Sequence, residues 1–300
     1  MSSVKHRLHA LCPYFAMFPH TFVRKYLFAF TGAGDVILDP FSGRGTTLLE
    51  SLLLDRKALA VDINPVAACV TGAKAHVPAL PAIGSRLDEL ERHCRETNLQ
   101  SVDEERRALP SFFAHAFHYW TLRELLFIRR HLDWHHSDID RFIAALALGS
   151  LHGEMDKSRS YFSTQMPRTI STKPAYSIRY WREHGLRPKR RRVFEILRNR
   201  ARLRLQDGRP SHPGIALQAD VRKTSSSNRA ARSKYALFGL AVGIYDVYTS
   251  QTSGIHGARE STLCIRNLCT NVNTDHQGEG LAQSRALFLD KRSIKGLCIW

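Results

Sequence analysis

Two aspartates and two glycines in one short stretch have the types and spacing to grip a small ligand. They are Asp39, Gly43, Gly45 and Asp62, within VILDPFSGRGTTLLESLLLDRKALAVDINP from Val36 to Pro65. Glycine lets a backbone turn sharply and approach a ligand without Cβ interference. A carboxylate roughly 20 residues beyond such a turn is placed to bond ribose hydroxyls. The surrounding pattern supplies the elements to position these groups. Val36–Leu38 reads as a short strand, Thr46–Leu54 as a leucine-rich helix, and Ala58–Val61 as a second strand delivering Asp62. Asn64 and Pro65 suit the N-cap and first position of a further helix over Val66–Ala75. In doubly wound sheets ligands sit at the carboxyl ends of the strands, so Asp39, the glycine loop and Asp62 should line one crevice. The dinucleotide pattern itself is incomplete: there is no third glycine, and an acid and a proline precede the pair. A generic strand–helix–strand unit with a turn glycine pair is the plain alternative.

Asp-Pro-Phe-Ser-Gly-Arg-Gly-Thr-Thr followed by Val-Asp-Ile-Asn-Pro resembles the S-adenosylmethionine loop of the amino-methylating DNA methyltransferases, which methylate the exocyclic amine of adenine or cytosine. The resemblance extends over about residues 5–222. It implies an α/β fold of the Rossmann-like S-adenosylmethionine-dependent methyltransferase kind, with a helical insertion and an irregular or incomplete C-terminal part. S-adenosyl-L-methionine is the implied cofactor and double-stranded DNA the implied partner, in a restriction-modification setting. The implied cofactor contacts are Phe18 and Pro19, which in this family close over the methionine end; then Asp39, Pro40, Phe41, Ser42, Gly43, Gly45 and Thr46 in the loop; then Asp62 and Ile63; and Asp220, on the adenine amine. RNA guanine methyltransferases carry a similar loop and remain an alternative. A nicotinamide oxidoreductase fits worse, because the loop begins Asp-Pro-Phe and lacks the third glycine.

Composition is consistent with such a partner. The 300 residues contain 44 Lys and Arg against 27 Asp and Glu, a formal charge of +17, which favours nucleic acid or another polyanion. The six cysteines lack the dense spacing of a disulfide framework, consistent with a reducing compartment. Cys264 and Cys269, with His256 and His276 nearby, match no common zinc spacing, and no metal is expected. There is no secretory pattern at the N-terminus, and the longest apolar windows, Phe142–Leu151 and Tyr235–Ile244, are about half a bilayer span. The expectation is a cytoplasmic protein that does not enter the membrane.

Along the chain, Val23, Leu27 and Phe30 predict an amphipathic helix over Thr21–Phe30, ended by Gly32 and Gly34. Residues 84–109 read as a charged surface helix with a joint. Thr121–His131 and Ser137–His152 read as core helices, the second capped by Ser137 or Asp138 and stopped by Gly153. His135, His136 and His152 are read as surface or capping residues. Ser160–Trp181 mixes hydroxyls, aromatics and basic residues around two prolines, which suits a loop gripping phosphate and stacking on bases. It also resembles an internal segment of one subgroup of the DNA methyltransferases. From Arg187 to Arg204 nine basic residues face one acid, Glu195, with Val193, Phe194, Leu197 and Ala201 forming an apolar helical face. That pattern predicts a helix tracking phosphates. The nucleic-acid contacts expected are Arg168, Lys173, Arg179, Lys189, Arg190, Arg191 and Arg192. Ile215–Ala219 is a third short strand, ending at Asp220. The chain thus divides into a cofactor part (1–80), a mainly helical insertion (81–208), a returning strand (209–222) and an unrecognised tail (223–300).

The family's catalytic motif, Asp, Ser or Asn before Pro-Pro and an aromatic, should follow that strand. It holds the amine of a flipped-out base for in-line attack on the methyl group. No Pro-Pro dipeptide occurs in the sequence, and no Pro-Cys pair suggests a cytosine-C5 mechanism. Catalytic residues are therefore unassigned. The resemblance stops near Arg222, and the expectation is a frameshift or truncation that replaced the true C-terminal half. A non-catalytic DNA-binding remnant is the alternative from outside enzymology.

Overall fold

The computed structural model describes residues 4–13, 18–153, 161–165 and 174–220, together with the backbone of 235–237. The apolar runs flanking the glycine turn form its two central strands, β1 (Val36–Asp39) and β2 (Lys57–Asp62). They pair in parallel from Val36↔Lys57 to Asp39↔Ala60. A parallel pair needs a crossover, supplied by α2 (Thr46–Leu53). Beyond β2 lies β3 (Ile215–Gln218), parallel, with Leu59 opposite Ile215 and Asp62 opposite Gln218. β4 (Tyr235–Leu237) pairs in parallel with the other edge of β1, so the order is β3-β2-β1-β4. The chain steps outward from β1 through β2 to β3 and then returns to the opposite side. That reversal makes the carboxyl end of β1 a topological switch point, where open α/β sheets place ligands.

Helices cover the sheet through the residues the sequence makes apolar. In α1 (His20–Phe30) Val23 and Leu27 bury against Ile37 of β1. Leu48 and Leu52 of α2 close over Ala58 and Ala60 of β2 and Ala75 of α3 (Pro65–Ala75). The N-terminus of α3 is fixed as the sequence implies: Asn64 Oδ1 accepts the N–H groups of Val66, at 2.8 Å, and Ala67, and Pro65 begins the helix. A single 3-10 turn (Arg7–Ala10) precedes α1 and buries Leu8.

Between α3 and β3 the chain builds a helical body: α4 (Leu80–Glu96), α5 (Gln100–Ala108), α6 (Ser111–Ala116), α7 (Tyr119–His131), α8 (Asp138–Leu148), α9 (Pro174–Glu183) and α10 (Val193–Arg204). Several of these depart from expectation. The joint expected within 84–109 falls at residues 97–99, between α4 and α5, but α4 is not a surface helix: it contributes Ile83, Leu87, Leu90 and Cys94 to the main core. Their spacing of four, three and four residues is diluted by the charges between them, which makes the window read as surface. α8 stops at Gly149 rather than Gly153, while Ser137 caps its start by accepting the Asp140 N–H at 3.2 Å. His152 is not a cap. It lies among Phe112 and Phe117, with Nδ1 against the Ser163 hydroxyl at 2.9 Å.

The second half of Ser160–Trp181 is helix, not loop. α9 starts at Pro174 and buries Trp181 in the main core, its indole N–H donating to the Gln165 carbonyl at 3.1 Å. A tryptophan so engaged cannot stack on a base. Residues 166–173 and 221–234, and 238–300 beyond β4, lie outside the described residues, and with them Arg168, Lys173, Cys264, Cys269, Cys298 and nearly all of the tail. Among the described residues no helix is long and apolar enough to cross a membrane, and no group of three or more His, Cys, Asp or Glu is placed to hold a metal ion.

Candidate functional site

The loop after β1 takes the shape its glycines permit. Gly43 and Gly45 both have positive φ, +52° and +74°, and Gly45 is the N-cap of α2. A Cβ on Gly45 would lie 2.8 Å from the Thr71 hydroxyl. Position 45 therefore requires glycine twice over, for its left-handed backbone and for the close approach of α3. Thr71 belongs to the site: its hydroxyl donates to the Gly43 carbonyl at 3.1 Å and lies 3.4 Å from the Ser42 hydroxyl. The Ser42 N–H donates to the Val61 carbonyl at 3.0 Å, tying the loop across to β2.

Asp62, at the end of β2, holds the same loop from the other side. One carboxylate oxygen accepts the Gly43 N–H at 2.8 Å and the other accepts the Asn64 N–H at 2.9 Å. Asp39, at the end of β1, is 4% exposed and accepts the Phe41 N–H at 3.2 Å. Burial pushes the Asp39 carboxyl up to about 6, and the neighbouring Asp62 charge adds to it against bonds from Thr47 and Phe41. Burial also raises Asp62, partly offset by the backbone N–H groups of Asn64, Gly43 and Ile63. Among the described residues neither acid forms an ion pair. Two adjacent, largely buried carboxylates held only by backbone and hydroxyl donors retain lone pairs and an unmatched negative potential. Such a site favours a ligand with hydroxyl donors or positive charge.

A second layer of polar groups lies behind the loop. The Lys74 side chain is wholly buried on α3 and its Nζ donates to the Arg44 carbonyl at 2.5 Å. Burial, with the adjacent Arg44 and Lys5 charges, brings Lys74 down to about 7, against a small opposing effect of Cys12. On α2, Glu50 is fully buried between His9, at 2.5 Å, and Arg24. Desolvation lowers His9 to about 4, so this histidine is neutral and donates Nε2–H to the acid. These residues escape sequence reasoning because a lysine, a threonine and a glutamate inside helices normally face water. The one available signal is Thr71 and Lys74 interrupting an otherwise small, apolar α3.

Of the residues predicted to hold cofactor, the fold brings together Asp39, Pro40, Phe41, Ser42, Gly43, Gly45, Thr46, Asp62 and Ile63 at the ends of β1 and β2. Asp220 follows β3, whose last paired residue stands opposite Asp62, and the Ala219 N–H donates to the Asp62 carbonyl at 3.1 Å. Phe41 and Ile63 are apolar yet 48% and 67% exposed, consistent with a rim. Phe18 and Pro19 precede α1, and the ring contact of Phe18 is with Phe22 of that helix, at 5.1 Å.

The basic segment splits in two. Only Val193–Arg204 is helical; residues 187–192 form an extended strap. Several arginines of α10 serve the fold instead of facing solvent: Arg198 pairs with Asp88 and Glu91 of α4 at 2.6 Å each, and Arg200 is buried over the Tyr161 ring. Lys189, Arg190 and Arg191 form no ion pair among the described residues, and exposed Arg192 lies 3.5 Å from Glu195. Arg179 is exposed, 3.9 Å from Glu183 and 5.2 Å from the Tyr176 ring.

Comparison with known families gives one match. The model of a family described as DNA methylase, the adenine-N6 and cytosine-N4 group, matches residues 1–70, which span β1, the glycine loop, β2 and the first turns of α3. No curated protein and no solved structure matches the chain.

Proposed function

We propose that this chain carries the cofactor-holding and DNA-holding parts of a DNA amino-methyltransferase, binding S-adenosyl-L-methionine at the ends of β1, β2 and β3. One observation carries the reading: buried Asp39 and half-buried Asp62, neither ion-paired among the described residues, flank a left-handed glycine loop inside the segment that matches the DNA methylase family. The donor set fits this group. Asp62 keeps lone pairs for ribose hydroxyls, the unmatched charge of the two acids suits a sulfonium cation, and Phe41 and Ile63 give an apolar rim for an adenine ring. When bound, the cofactor supplies an electrophilic methyl group. Residues 1–80 and 209–222 form the cofactor part, and residues 81–208 bring DNA to it through the strap and Arg179.

The residues that present the base are not in this sequence, which has no Pro-Pro-aromatic motif. Positioning does most of the work in this chemistry, so the chain alone binds cofactor and DNA without transferring methyl groups. Incubation with tritiated cofactor, scoring retained cofactor and label on duplex DNA and on tRNA at matched salt, tests this. The expected result is bound cofactor, tighter retention of DNA than of tRNA, and no labelled nucleic acid. Absence of cofactor binding would sink the reading; labelled tRNA would move the substrate to RNA.

A further inference from the structure

The helical body carries an exposed aromatic and basic surface that neither the glycine loop nor the core explains. Tyr119 and Trp120 open α7 edge-to-face, ring centroids 4.9 Å apart, and Trp120 is 43% exposed. Leaving an indole in water forgoes much of its burial free energy, so a structural role does not account for it. Its surroundings are built. Asp103 of α5 accepts the Tyr119 hydroxyl at 3.0 Å and pairs with Arg123 at 3.2 Å and Arg106 at 3.6 Å. Those arginines stand over the aromatic rings, Arg106 at 4.4 Å from Tyr119 and Arg123 at 5.2 Å from Trp120. The strap then adds Arg190 at 5.8 Å from the same indole. Its course is fixed from α7: the Arg191 N–H donates to the buried Thr121 hydroxyl at 2.8 Å, and the Val193 N–H to Glu124 at 3.1 Å.

Asp103 neutralises part of the charge of Arg106 and Arg123, and Glu124 faces Arg190, whereas Arg187, Lys189 and Arg191 form no ion pair among the described residues. The result is a partly exposed indole flanked by Arg123 and Arg190, with further cations along the strap. A protein partner would have to bring acids and also cover the ring; one strand of nucleic acid brings both a phosphate row and a π-face. We propose that Trp120 is a stacking platform for an unpaired base of DNA, with its phosphates on the strap. The proposal rests on the DNA reading above and names which form of DNA the insertion holds.

Titration of the intact chain with a single-stranded oligonucleotide, a duplex with one extrahelical base, a fully paired duplex and heparin tests it, with anisotropy and tryptophan fluorescence as readouts. Trp134 and Trp181 are buried and Trp300 lies outside the described residues, so the part of the oligonucleotide quenching that Trp120→Phe removes is the part that reports on Trp120. The unpaired forms should bind at least about fivefold tighter than the paired duplex. Trp120→Ala should remove that preference and leave heparin binding unchanged, while Trp120→Phe keeps most of it. Arg190→Ser should weaken every nucleic acid alike and make the salt slope shallower by about one. An unchanged preference in Trp120→Ala, or equal losses for DNA and heparin, overturns the platform while leaving DNA binding standing. A wild-type chain that binds no DNA removes both platform and DNA reading, and cofactor binding, measured separately, shows whether the loop reading survives.

Discussion

The glycine loop and the helical body handle charge in opposite ways. In the body, acids and bases meet: Glu105 is shared by Arg129 and Arg130, Asp140 accepts both arms of Arg86, and Arg198 bridges Asp88 and Glu91. At the strand ends, Asp39 and Asp62 meet, among the described residues, backbone N–H groups and a threonine and no base. Paired charge locks helices at fixed registry. Unpaired, half-satisfied charge weakens the apo fold and is retained where a ligand completes it. The same contrast recurs inside the basic segment, between Arg198 on α10, engaged with α4, and the unpaired cations of the strap.

The contrast predicts graded effects on stability. Glu105→Gln leaves the buried Arg129 guanidinium without its carboxylate and should cost about 3–5 kcal/mol in urea denaturation. A loss under about 1 kcal/mol would show the body does not depend on that pairing. Gly45→Val, strained at φ +74° and driven against Thr71, should cost about 3 kcal/mol and abolish cofactor binding, whereas Gly34→Ala, at φ +85° with open space around it, should cost only about 1 kcal/mol. Similar losses at both glycines would argue against a tightly built loop.

Asp39 gives a pH-dependent effect of known sign. Burial raises its carboxyl in the folded state to about 6 from the ordinary value of 3.8. The unfolded chain therefore ionises first, and the favourable contribution, fully present below about pH 4, is lost as pH rises through 6. Asp39→Asn should consequently stabilise the apo protein by about 1–3 kcal/mol at pH 8 and by nearly nothing at pH 4, read from paired denaturant curves. A stabilisation independent of pH would mean the buried charge is not its source. Smallest of all, replacing Lys189, Arg190, Arg191 and Arg192 by serine should change stability by less than about 0.5 kcal/mol while making the DNA salt slope shallower by about 3–4. A large loss of stability would place the strap with the paired arginines.

What the sequence made legible follows from range. The strand–turn–helix of Val36–Leu53 and the cap at Asn64 are written in neighbouring residues, and both appear at those positions. Which arginines of Arg187–Arg204 stay in solvent depends on α4, roughly a hundred residues upstream, and no local pattern encodes that. In the sequence Trp181 looks like base-stacking material, because aromatic and basic neighbours look alike whether a helix turns them inward or outward. Trp120 gives no local signal for the converse reason: its cationic neighbour Arg190 comes from a strap 70 positions later. Thr71 and Lys74 behind the glycine loop are likewise set by the crossover, not by composition.

The most direct test of the central claim is calorimetric titration of S-adenosyl-L-methionine into the wild-type chain and into Asp62→Ala, with circular dichroism confirming that both are folded. The account predicts saturable one-site binding to the wild type in the micromolar range, weakened at least about tenfold by removing the carboxylate that ties Gly43 and, in the proposed reading, would bond the ribose. No binding to the folded wild type, or equal binding by both chains, would contradict it.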